Sequence, residues 1–99
     1  MIGNASKKIV NGKLVKVIVD YDNKINKLEI SGDFFIHPEE SIKDIENSLL
    51  NLEVNIENEI IVNKLKDFIE SNKIEIIGFQ EEDLAELIKE ATKNEMASN

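Results

Sequence analysis

Few side chains in this 99-residue chain are suited to covalent chemistry, and none falls into a catalytic spacing. There is one histidine, His37, and no cysteine. A lone imidazole beside Pro38 reads as a helix N-cap or a surface residue before it reads as a catalytic base. Lack of cysteine excludes disulfides, zinc–thiolate sites, iron–sulfur ligation by this chain and thiol nucleophiles. Serines are present, but no Ser/His/Asp set follows from their spacing, and no Gly-rich loop offers a phosphate cradle. The carboxylates Glu39 and Glu40, and Glu81, Glu82 and Asp83, stand where helices are expected to open, and there they suit the positive end of the helix dipole. Adjacent helical positions diverge by about 100°, so such runs make poor chelators.

Binding is better represented than catalysis. Lys7, Lys8, Lys13 and Lys16 cluster in an otherwise acidic chain. They are either solvated strand edges, which lysine protects against edge-to-edge pairing, or a basic patch. In the second case Lys8, Lys13 and Lys16 would face a phosphate-bearing ligand or partner. The segment Gly32-Asp33-Phe34-Phe35 precedes His37-Pro38 and holds two of only five aromatic residues. Consecutive extended side chains point to opposite faces. If Phe34 and Phe35 are extended, one faces away from the core and needs a second cover, from helices or from another protein. An exposed aromatic at a turn is a candidate interface anchor. Gly32, Asp33, Phe34, Phe35 and His37 are therefore the candidate partner-binding segment.

The elements that position these residues can be read from periodicity. Residues 1–6 read as a frayed terminus and Lys7–Val10 as a short strand. Asn11–Gly12 follows as a two-residue hairpin turn, because both residues tolerate positive φ. Lys13–Tyr21 is the clearest strand. Val15, Val17, Val19 and Tyr21 share an apolar face, and Leu14, Lys16, Ile18 and Asp20 share a mixed one. Asp22–Asn23 turns the chain into a third strand, Lys24–Ser31, with Leu28 and Ile30 inward. A β-meander thus fills the first third.

Pro38 is pre-organised for a first helical position, so His37-Pro38-Glu39-Glu40 reads as a helix start, with Ile42, Ile45 and Leu49 as its stripe. Leu52–Asn58 breaks that period. Glu59–Ser71 is a second helix, with Ile61, Leu65, Phe68 and Ile69 on one side. Glu75–Phe79 is a short strand or an extended connector. Gln80–Lys93 is the last helix, carrying Leu84, Leu87, Ile88 and Ala91, and the tail EMASN reads as loose. The fold class is α+β: a small antiparallel meander packed by about three helices, a single domain ordered over about residues 7–93.

Composition narrows the partners. The formal net charge is −8, which disfavours nucleic acid and anionic lipid, since phosphate binding needs clustered Lys and Arg. A basic protein surface is the complement of such a chain. No apolar run reaches membrane-spanning length, and MIGNASKK lacks a signal-peptide core. A cytoplasmic location is expected.

Lys8 through Pro38, KIVNGKLVKVIVDYDNKINKLEISGDFFIHP, resembles the accessory domain of lipoate–protein ligases. The specific part is Gly12-Lys13-Leu14-Val15 and Gly32-Asp33-Phe34-Phe35. The helices Glu39–Leu50, Glu59–Ser71 and Glu81–Lys93 match the domain's order by pattern alone. The family commonly has a glycine pair where this chain has Asn11–Gly12, and either pair serves the turn. The fold is also similar to that of sulfur-acceptor and iron–sulfur scaffold proteins, which work through cysteine.

The resemblance implies a separate small subunit, forming a heterodimer with a catalytic subunit that uses lipoate, ATP and Mg²⁺. That subunit would form lipoyl-adenylate and transfer lipoyl to a lysine on a lipoyl domain, an indirect partner of this chain. The small chain would dock on the catalytic subunit, enable adenylation and bind no cofactor alone. No catalytic residue carries over, because the family's lipoate-contacting lysine belongs to the large chain. The alternative is a stand-alone acidic protein that binds or inhibits a basic partner.

Overall fold

A computed structural model of the chain describes residues 1–9 and 13–97. Strands β1 (Ile2–Ile9), β2 (Lys13–Tyr21) and β3 (Ile25–Gly32) form an antiparallel three-stranded sheet in the order β1-β2-β3. A second, two-stranded ribbon pairs β4 (Phe35–His37) antiparallel with β5 (Glu75–Ile77). Helices α1 (Ser41–Ser48), α2 (Asn58–Ser71) and α3 (Glu81–Ala97) complete an α+β fold. The Asn11–Gly12 turn lies outside the described residues.

The apolar face of β2 organises the core. Val15, Val17, Val19 and Tyr21 are buried, while Leu14 and Lys16 on the other face are exposed. The register slips between Asp20 and Tyr21, so Tyr21 faces Ile25 while Asp20 faces Lys27. One extra residue in β3 opposes this step, as in a β-bulge, and Ile25 joins Leu28 and Ile30 inside. Helix α3 covers the sheet, packing on β1 and β2, with α2 against α3 and α1 against β3. Leu84, Leu87, Ile88 and Ala91 of α3, Ile61 and Leu65 of α2, and Ile45 of α1 close the core from that side.

The structure corrects the expected N-terminus. Residues 2–6 are not frayed but lie in β1, in register with β2 from Ile2 opposite Asp20 onward. Gly3 and Ala5 face inward and are buried. A Cβ on Gly3 would overlap the Ala91 backbone carbonyl oxygen of α3. The strand is hidden from hydropathy because its inward positions are small, and they are small because helix backbone presses on them.

The first helix is shorter than expected. Pro38 does not open it; α1 begins at Ser41, after a tight turn in which Ser41 N donates to Pro38 O at 3.0 Å. In α1, Glu46 Oε2 accepts from Ile30 N at 2.7 Å, capping a backbone donor on the free edge of β3. Where the helical period breaks, the chain returns to the sheet: Ile25 N donates to Leu52 O at 2.9 Å, and Asn51 N to Ile25 O at 2.8 Å. Lys89 ties α3 to this segment through Val54 O at 2.9 Å, and its burial lowers the ammonium pKa. The last helix continues into the tail expected to be loose, as far as Ala97.

Candidate functional site

Gly32 ends β3 at φ +149°, where a Cβ would overlap the Leu14 carbonyl oxygen. Its lack of a side chain lets the strand leave the sheet against β2, and Asp33 N then donates to Leu14 O at 2.8 Å. Gly32 therefore acts on the backbone path, and Asp33 presents an exposed carboxylate beside it. The departing chain becomes β4, a strand too short to recognise from its own sequence.

Alternation then separates the two aromatics. Phe34 is half-buried, its ring perpendicular to that of Phe79 with centroids 5.0 Å apart. Gly78 makes room for it: at φ +129°, a Cβ there would sit 2.7 Å from the Phe34 Cβ. Phe35 points the other way and is 69% exposed. It lies directly opposite Ile77, itself 61% exposed. Side chains opposite one another on an antiparallel pair are neighbours on the same face, so Phe35 and Ile77 make one exposed apolar patch. His37 and Glu75 are the next pair on that face, both exposed. Ile36 and Ile76, on the reverse, are half-buried against the core.

The lysines divide. Lys13 Nζ stands 5.7 Å from the Phe35 ring centroid, within cation–π range. Lys8 and Lys13 line a groove of about 570 Å³ whose walls include Ile9, Ile77 and Phe79. Lys7 also borders it but is engaged, pairing with Asp83 at 3.1 Å and Glu86 at 3.2 Å. The Asp83 hydrogen bond leads the causes that hold the Lys7 pKa above its ordinary value. Asp83 in turn accepts from Gln80 N at 2.9 Å and opens α3. Lys16 is exposed on the outer sheet face, between Ser6 and Ser31, and does not line the groove.

The chain thus brings Phe35, Lys8 and Lys13 together with Ile77, which sequence reasoning missed. Its signal was faint: Glu75–Phe79 alternates too briefly to tell a strand from a connector. Among the described residues, no group of His, Asp and Glu is arranged to hold a metal ion. No helix is long and apolar enough to cross a membrane.

No family model matches the chain. It is 35% identical over 77 residues, 77% of each chain, to a curated protein of Thermoplasma acidophilum named lipoate-protein ligase A subunit 2. Its fold is similar to a chain in a solved structure of the bipartite lipoate protein ligase and its E2 lipoyl domain from the same organism. There the TM-score is 0.68 with 31% identity, over 89% of this chain and 97% of that one.

Proposed function

The chain belongs to the lipoate-protein ligase A subunit 2 family and is a small subunit of a two-chain lipoate–protein ligase, and we propose that it docks on the catalytic subunit and enables ATP-dependent lipoate adenylation. Lipoate, ATP and Mg²⁺ then act in the complex, and the lipoyl group passes to a lysine of a lipoyl domain. The observation that supports this reading is the shared fold over 89% of the chain with one chain of a bipartite ligase.

The geometry supports a binding role. The Phe35–Ile77 pair is a compact apolar surface on the β4–β5 ribbon, with Phe34 packed against Phe79 beside it. Exposed aromatics of this kind are the usual anchors of protein interfaces. Gly32 sets the path that delivers the ribbon, and Asp33 and His37 border the exposed face.

The test is reconstitution with the catalytic lipoate–protein ligase subunit. The two chains are expected to co-purify, and lipoyl-adenylate is expected only when both are present with ATP and Mg²⁺. The isolated small chain is expected to give no lipoate-dependent ATP–pyrophosphate exchange. Turnover by this chain alone, or full adenylation by the catalytic chain without it, would overturn the accessory role.

A further inference from the structure

Charge is distributed unevenly around the exposed apolar pair. The whole chain carries 20 acidic and 12 basic residues. The groove beside Phe35 reverses that balance. Lys7, Lys8 and Lys13 line it against a single acid, Asp83, and Asp83 is already paired with Lys7. Among the described residues, neither Lys8 nor Lys13 has a carboxylate partner. Lys13 sits over the Phe35 ring, so whatever covers the ring also meets this ammonium. Desolvating an unpaired ammonium is unfavourable unless an opposite charge replaces the lost water. The occupant must therefore combine apolar surface for Phe35 and Ile77 with a carboxylate for Lys13 and Lys8.

We propose that the groove lined by Lys8, Lys13 and Ile77, together with the Phe35 ring beside it, receives an acidic, apolar segment of the catalytic subunit. This rests on the accessory role above and adds its local chemistry. The sign is opposite to what the net charge of −8 implies: at the anchor, the partner is acidic. The basic patch serves a protein carboxylate rather than a nucleotide phosphate, because the cations adjoin an exposed aromatic–aliphatic pair and Asp83 already stands at the start of α3 that borders the groove, accepting from Gln80 N.

The test measures association of the full chain with the catalytic subunit by stopped flow, at low and high salt. The variants are Lys8→Glu with Lys13→Glu in the groove, and Lys16→Glu on the outer sheet face as control. Lys8 and Lys16 are exposed and Lys13 is half-buried, and circular dichroism verifies folding. The double groove variant is expected to associate about tenfold more slowly at low salt, in the range by which complementary charge steers encounter. That difference shrinks as the screening length falls from about 10 Å at 0.1 M to about 3 Å at 1 M. Lys16→Glu is expected to change the rate less than twofold. Equal or faster association of the groove variant would overturn the proposal. So would ATP binding to the isolated chain that Lys13→Glu abolishes while association stays unchanged. If the wild-type chains form no complex, the accessory role fails as well; if they do and the variants bind equally, only the groove assignment fails.

Discussion

Replacing Phe35 by Ala separates docking from folding. A fully covered aromatic side chain buries about 150–250 Å². With 69% of Phe35 exposed in the free chain, roughly 140 Å² remains for a partner to cover. At about 25 cal/mol/Å² this is worth about 3.5 kcal/mol. Immobilising the ring and the Cβ that alanine retains offset part of it, the first by about 0.5–1.5 kcal/mol. About 2 kcal/mol of binding should be lost, a complex roughly thirtyfold weaker. Titration calorimetry against the catalytic subunit measures the loss, and urea denaturation of the free chain provides the control. Because the ring is solvated in the free chain, the unfolding midpoint should stay near wild type. Phe34→Ala should behave in the opposite way, lowering the midpoint through the lost contact with Phe79. Wild-type affinity in a folded Phe35→Ala variant would refute the anchor.

Two further outcomes concern stability. Gly3→Val should destabilise by about 1–3 kcal/mol, since the new side chain meets α3 backbone rather than a movable side chain; a melting temperature within a degree of wild type would show that the helix simply shifts away. Asp22 is exposed, and its carboxylate accepts from Lys24 N at 3.0 Å, which leads the causes that lower its pKa. A lowered carboxylate stabilises the fold above its unfolded pKa and loses that contribution as pH falls through the folded value. Asp22→Asn should therefore melt below wild type at pH 7 and approach it at acidic pH, and a gap that widens on acidification would contradict the sign.

Legibility followed the distance between interacting residues. The alternation of Lys13–Tyr21 predicts β2 to its ends, because its inward positions are all large and apolar. The stripe Ile61, Leu65, Phe68 and Ile69 likewise places α2, although Phe68 and Ile69 are only half-buried. Opposite facing of Phe34 and Phe35 follows from local geometry alone. What escaped depends on remote partners. β4 exists because Phe35 meets Ile77 across the ribbon, and three residues carry no period of their own. Lys7 resembles its neighbouring lysines in sequence, yet an acid 76 positions away neutralises it. Residues 2–6 of β1 were missed for a third reason: their buried side is Gly3 and Ala5, which hydropathy does not mark as core.

The same distinction governs what net charge says about a partner. A total of −8 describes the far field of this chain, and it implies steering toward a basic surface. At contact distances the relevant quantity is the charge within a screening length of the anchor, about 8 Å at physiological ionic strength. Around Phe35 that region holds Lys13 on the side that opens onto a groove lined by Lys8, while the carboxylates of Asp33 and Glu75 lie along the ribbon away from that groove. Salt titration alone does not separate the two descriptions, because attraction of either polarity weakens as salt rises. Charge reversal at Lys13 does. It makes a chain of −8 more negative, so a partner that is basic at the anchor would bind faster, and an acidic one more slowly.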